Sequence, residues 1–161
     1  MCSVTNVQRG WREMSLSERL MADMKDSMRN GQEIRKSTIR MARSAIHYEE
    51  IEKRRPLTDE EILGVLSRQV KQRRESIGEF TKGKRMDLVA KEQEEMDIIL
   101  TYLPKQLSRE EIAAASSEAI QEVGAQGAGD FGKVMSLLAR RLKGRADGRQ
   151  IGEVVRELLG S

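Results

Sequence analysis

The residues that do chemistry in most enzymes are scarce in this chain. There is one histidine, His47, and one cysteine, Cys2. A metal site needs several His, Cys or carboxylate donors at fixed spacing, and a Ser–His or Cys–His nucleophile would have to use that single imidazole. His47 stands beside Tyr48 in a charged helical stretch, where a surface role fits better than a base or ligand. A Ser–Lys pair is open by composition, but no Gly/Ser-rich strand–loop context accompanies one. The carboxylates fall at helix starts or on polar faces, with no isolated pair in an apolar setting to push two pKa values apart. No catalytic residue, metal or cofactor is therefore assigned.

Cations are the chemistry that remains. Between Asp130 and Arg149 stand six of them: Lys133, Arg140, Arg141, Lys143, Arg145 and Arg149. Two acids, Asp130 and Asp147, share the window, and both sit where a helix needs an N-cap. Gly144 suits the left-handed turn that ends a helix. The stretch reads as a helix, a glycine stop, an elbow and a second helix start, with a positive tip. A second run, Lys71, Arg73 and Arg74, lies on the outer side of an earlier helix. Such clusters can neutralise phosphates and release counterions, which gives salt-sensitive, sequence-independent affinity. Aromatic residues make up only 3% of the chain, so base stacking on a platform is a poor fit. Folded or double-stranded RNA, read through backbone and shape, fits better. The competing reading is a set of solvated helix faces paired with Glu92–Asp97 and with Glu153 or Glu157. Gly127-Ala-Gly-Asp-Phe-Gly132 matches G-x-G-x-x-G, yet a helix and not a strand precedes it, so the dinucleotide context is missing.

The elements that must hold these residues read as helices throughout. Ser15-Leu-Ser-Glu18 is a capping box for a first helix of about Leu16 to Met28, with Leu20, Met24 and Met28 inward. Asn30-Gly31 stops it. A second helix runs to about Lys53, with Ile39, Ala42 and Ile46 inward and Lys36, Arg40 and Arg43 outward. Pro56 breaks the chain, and Thr58-Asp-Glu-Glu61 starts a third helix between the staple residues Leu57 and Ile62. Its core stripe is Ile62, Leu66, Val70, Ile77 and Phe80; Arg68, Lys71, Arg73 and Arg74 are read as outward. Gly83 ends it. A fourth helix, about Asp87 to Leu103, is acidic outside at Glu92, Glu94, Glu95 and Asp97. Pro104 marks a boundary. Leu107-Ser-Arg-Glu-Glu111-Ile112 repeats the staple and box for a fifth helix to about Val123. The last two helices bury Phe131, Val134, Met135, Leu138 and Leu142, then Ile151, Val154, Val155, Leu158 and Leu159. No stretch alternates with the period of a strand. The expectation is an all-α protein: residues 1–13 as a disordered leader or upstream start before Met14, residues 14–104 as an N-terminal domain of about four helices, and residues 105–161 as a small three-helix domain.

Bulk properties narrow the class. Net charge is +3 in 161 residues. Residues 14–103 carry 18 basic and 17 acidic side chains and residues 104–161 carry 9 and 8, so any electrostatic recognition must be local. No apolar run approaches the roughly 20 residues of a membrane span, and no secretory signal is visible. One cysteine fits a reducing compartment. A cytoplasmic protein without membrane or DNA partners is expected.

Several stretches, taken in order, resemble the GatB/YqeY family of small helical proteins. They are Leu57-Thr-Asp-Glu-Glu61, Lys71-Gln-Arg-Arg-Glu-Ser-Ile77 with Glu79-Phe80, and Asp87-Leu-Val89 with Lys91-Glu92. They continue with Tyr102-Leu-Pro104, Gln106-Leu-Ser108, Glu110-Glu111, Gly132-Lys-Val-Met135 and Lys143-Gly-Arg-Ala-Asp-Gly148. The similarity runs from about Ser15 to Leu159; Gly78 and Phe131 depart from it. The resemblance implies two helical domains, the second similar to the tail of the B subunit of the glutamine-dependent aspartyl/glutamyl-tRNA amidotransferase, which helps hold tRNA. The matching positions are Gly132, Lys133, Met135, Lys143, Gly144 and Arg145. The amidotransferase's catalytic body has no counterpart here. Carbon–nitrogen ligase activity with glutamine as amido-nitrogen donor is thus implied only as a context, within a complex. The partners implied are tRNA and amidotransferase or aminoacyl-tRNA synthetase subunits. The alternative is a helical protein-interaction adaptor with neither RNA binding nor catalysis.

Overall fold

The computed structural model describes residues 14–160. The leader or upstream start expected at 1–13, and Cys2 with it, lie outside them. Seven α-helices account for most of the described chain, and no strand occurs among the described residues: α1 (Leu16–Arg29), α2 (Glu33–Lys53), α3 (Asp59–Lys82), α4 (Met86–Leu100), α5 (Arg109–Val123), α6 (Phe131–Arg141) and α7 (Gly148–Leu159). The chain divides into two units, one ending at Tyr102 and one beginning at Leu103.

Three helix starts obey one local rule. At α1, α3 and α5 the N-cap hydroxyl of Ser15, Thr58 or Ser108 accepts from the N3 amide, and the N3 glutamate (Glu18, Glu61 or Glu111) accepts from the N-cap amide. Each box satisfies two of the amides a helix start leaves unpaired. Glu61 does more than the other two. It also accepts from Lys53 at 2.6 Å and from Arg55 at 2.8 Å, so the end of α2 is tied to the start of α3. Between them Arg54 takes a left-handed conformation, φ 54°, and the Leu57 amide donates to Glu50.

In the first unit the core is drawn from all four helices: Leu20 of α1, Ile39 and Ile46 of α2, Ile62 and Leu66 of α3, and Ile99 of α4 are at most 4% exposed. Ile39, Ala42 and Ile46 are inward, as their spacing predicts. The inward face of α1 differs from the expected one. Met28 is 56% exposed, and Leu16, Leu20, Asp23 and Ser27 are the buried positions. The polar pair is tolerated because its groups are bonded: the Ser27 hydroxyl donates to the Asp23 carbonyl at 2.7 Å, and the Tyr102 hydroxyl donates to the Asp23 carboxylate at 2.5 Å. Burial, and then the bond to Asp23, raise the Tyr102 pKa. The Arg19 guanidinium stacks over the Tyr102 ring, 4.9 Å from its centre. Holding Tyr102 this way is compatible with α4 ending at Leu100, three residues earlier than the periodicity suggests.

Arg73 is the second departure. It is 6% exposed, and its guanidinium lies 3.1 Å from Glu95, which is 8% exposed. Its place as an outward phosphate contact, and that of Glu95 on the acidic outer face of α4, are therefore corrected. Arg73 follows Val70 by three and Leu66 by seven, and Glu95 precedes Ile99 by four. Both are in register with the core stripes, and each is a buried charge that the other balances.

Two outcomes follow. Breaking the buried pair by Arg73→Met alone or Glu95→Leu alone should cost about 3–5 kcal/mol, whereas the double change should be near neutral or stabilising; urea unfolding of the four proteins checks this. Hydrogen bonds from Arg55, then Lys53, then the Thr58 amide hold the Glu61 carboxyl below its ordinary value of 4.5. A group depressed on folding contributes stability above its unfolded pKa and loses it as pH falls through the folded one. Urea midpoints should thus fall more steeply below about pH 4.5 in the native protein than in Glu61→Gln; parallel curves would contradict it.

Candidate nucleic-acid interface

The second unit is a small helical cluster. Ile112 and Ala119 of α5, Val134 and Leu138 of α6, Leu142, and Ile151, Val154 and Val155 of α7 form its core. A short 3₁₀ turn, Ala128–Asp130, leads into α6. Gly152 is buried and faces the Phe131 ring, which lies 3.7 Å from where a Cβ would stand, an ordinary packing distance. Phe131 is also covered by Arg156, 4.9 Å from the ring centre. Leu158, expected inward, is 45% exposed.

The elbow between α6 and α7 is built by short-range bonds. The amides of Arg145 and Ala146 both donate to the Leu142 carbonyl, at 2.9 and 3.2 Å. Gly144 sits at φ 75°, a conformation that a side chain would strain. Asp147 caps α7 by accepting from the Arg149 amide at 2.9 Å. A second tie comes from outside the window. The Gln106 side chain donates to the Gly144 carbonyl at 2.8 Å, and the Leu107 amide donates to the Arg145 carbonyl at 2.8 Å. The segment ahead of α5 therefore pins the backbone of the tip. No spacing in the window itself announces this; the one signal is that Gln106-Leu-Ser108 belongs to the ordered series of motifs.

The cations around this elbow are not equivalent. Arg140 and Arg145 are exposed, and among the described residues neither lies in an ion pair. Lys143 is exposed at the same turn and has an interaction of its own. Lys133 is paired with Asp130 at 3.3 Å, Arg149 with Glu153 at 3.4 Å, and Arg141 with Glu122. The positive tip read between Asp130 and Arg149 is thus neutralised in part. Asp130 does not cap α6 with its side chain. It accepts from the Gln126 amide at 3.1 Å, which together with Lys133 keeps its carboxyl below the usual range. The paired side chains stay on the surface: Lys133 is 72% and Arg149 81% exposed. Exposed pairs of this kind contribute little, about 0–1 kcal/mol, and a phosphate can replace the carboxylate. Glu111 is lowered first by its Ser108 amide, then by Lys105, with Arg145 adding at longer range.

The remaining sequence candidates lie elsewhere. Lys71 is exposed and Arg74 half-buried on α3, in the first unit, with Arg73 turned into the core. His47 is on the surface of α2, its Nδ1 3.8 Å from Glu50. Gly127–Gly132 spans the 3₁₀ turn Ala128–Asp130 and the first residues of α6, and a helix, not the strand that a dinucleotide-binding loop follows, precedes it.

The family model described as Yqey-like protein matches residues 17–159. A protein of Pyrenophora tritici-repentis named altered inheritance of mitochondria protein 41, mitochondrial, is 31% identical over 149 residues, which is 89% of this chain and 80% of that one. Proteins of the same name from Saccharomyces cerevisiae and Vanderwaltozyma polyspora are 44% and 36% identical over 85 residues, 52% of this chain. That match spans about half of each yeast protein, 46% of its length. The chain belongs to the YqeY-like family.

Proposed function

We propose that this protein is an accessory RNA-binding protein that grips tRNA through the α6–α7 elbow and serves glutamine-dependent tRNA amidation as a companion of catalytic subunits. The observation that supports it most is the pinned tip. Arg140, Lys143 and Arg145 stand at a turn whose backbone is fixed by Gln106 and Leu107. Fixing that backbone before RNA arrives lowers the ordering cost of binding. Lys133 and Arg149 widen the patch by exchanging exposed carboxylate partners for phosphates; Lys71 and Arg74, on the first unit, are separate phosphate-contact candidates. The amide transfer itself is assigned to the partners, because no acid–base or nucleophilic constellation is built from this chain's described residues. The compartment inferred is the cytoplasm; the word mitochondrial belongs to the named relatives.

The second reading, a protein-interaction adaptor without RNA binding, draws support from the exposed apolar side chains of α2, among them Met41 and Tyr48. A salt series of tRNA filter binding separates the two. RNA recognition through the elbow predicts affinity that falls with salt. It also predicts that Lys143→Ala with Arg145→Ala weakens binding and lowers the log–log slope by about 2, close to one unit for each phosphate left unneutralised. No binding at low salt, or an unaltered slope in the double variant, contradicts the proposal.

A further inference from the structure

Helix α2 carries two apolar faces, and the fold of the first unit uses one. Ile39, Ala42 and Ile46 are buried at 1–4% exposure. Ile34, Met41, Tyr48 and Ile51 are exposed at 38%, 56%, 72% and 59%. Ile34, Met41 and Tyr48 recur every seven residues, and Ser37, Ser44 and Ile51 follow each by three. These are the first and fourth positions of a heptad seam, and at about 100° per residue they fall on the side of α2 away from Ile39 and Ile46. The two serines do not spoil it. The Ser37 hydroxyl donates to the Ile34 carbonyl and the Ser44 hydroxyl to the Arg40 carbonyl, each at 3.0 Å. A partner helix could cover both without stranding a donor.

We propose that this seam is a self-association surface on which α2 pairs antiparallel with α2 of a second copy. A two-fold axis between Ala42 and Arg43 sets every layer. It puts Ile34 against Ile51 of the second copy, Met41 against Ser44 of the second copy, and Tyr48 against Ser37 of the second copy. Large side chains meet small ones in the middle layers, so the backbones can approach and the side chains still fill the space. A parallel pair would set Tyr48 on Tyr48 and Ser37 on Ser37, with crowding in one layer and a void in the other. Charge selects the same alignment. On one flank Glu33 comes beside the second copy's Arg54, the residue that caps the end of α2, twice per dimer; Arg40 comes beside His47 of the second copy and adds no complementary charge. The seam from Ile34 to Ile51 is about 25 Å long. One helix pair of that length is smaller than a standard interface, so the expected dimer is a reversible one. The inference does not depend on the RNA-binding proposal and uses a different unit of the chain.

Sedimentation equilibrium of the full chain without RNA, from about 1 to about 300 µM, tests it. The expected result is a concentration-dependent monomer–dimer equilibrium. Met41→Glu should be monomeric throughout, with the helical circular dichroism of the unaltered chain and, at the dilute end where both are monomers, its thermal midpoint, since Met41 is outside the core. Glu33→Arg should weaken dimerisation about tenfold through two like-charge contacts, and adding Arg54→Glu should restore it. A chain that is monomeric over the whole range overturns the proposal. A dimer that persists in Met41→Glu, or a charge reversal that Arg54→Glu fails to rescue, overturns it as well.

Discussion

The second unit turns on the two hydrogen bonds by which Gln106 and Leu107 hold the carbonyls of Gly144 and Arg145. A glycine turn between two helices is soft by itself, because glycine loses more conformational freedom on folding than any other residue. Here the turn is fixed from three directions: by the last turn of α6 through the Leu142 carbonyl, by the Asp147 cap on α7, and by the segment ahead of α5. The flanking core of Val134, Leu138, Ile151 and Val155 then sets where the tip points. Cations on a fixed tip can meet a phosphate without the entropic cost of first ordering the loop. The function proposed for the chain depends on that constraint more than on the count of positive charges.

Much of the secondary structure is legible in the sequence because it follows local rules. Each of the three Ser/Thr-x-x-Glu boxes starts a helix in the structure, and the stripes Ile39–Ala42–Ile46 and Ile62–Leu66–Val70 are buried as their spacing requires. The elbow is legible too, down to Gly144 and Asp147. The buried polar departures share one cause, since polar residue types suggest solvated positions that the fold does not grant them; Met28 and Leu158 are the reverse case, apolar residues left on the surface. Arg73, Glu95, Asp23 and Ser27 all stand in register with apolar stripes; the partners of Arg73, Glu95 and Asp23 lie outside their own helices, and Ser27 is satisfied by the Asp23 carbonyl one turn earlier. Tyr102 is 79 residues from Asp23, and Glu95 is 22 residues from Arg73. Periodicity alone places all four correctly; residue type points the other way.

The same bias affects the candidate interface. The acids within Asp130–Arg149 leave most of its cations unpartnered; Glu153, which the competing reading names, does reach Arg149 from the next turn of α7, and Glu122, which it does not name, reaches Arg141 from α5. On α2 the discrepancy has the opposite sense. The stripe Ile39–Ala42–Ile46 accounts for the core and draws the eye, although Ile34, Met41 and Tyr48 form a second on the opposite side. A helix that is amphipathic twice has a partner for one face within its own unit and an unfilled seam on the other.

On the proposed function, the tip between α6 and α7 meets RNA as a preformed surface. Chemical-shift perturbation of the isotopically labelled full chain, titrated with tRNA at low salt, addresses it directly. The account predicts that the amides of Lys143–Arg149, with Gln106 and Leu107 behind them, shift first, while the carbonyl bonds pinning the elbow keep their slow amide exchange. Shifts confined to other surfaces, or an elbow whose amides exchange freely before RNA is added, would contradict it.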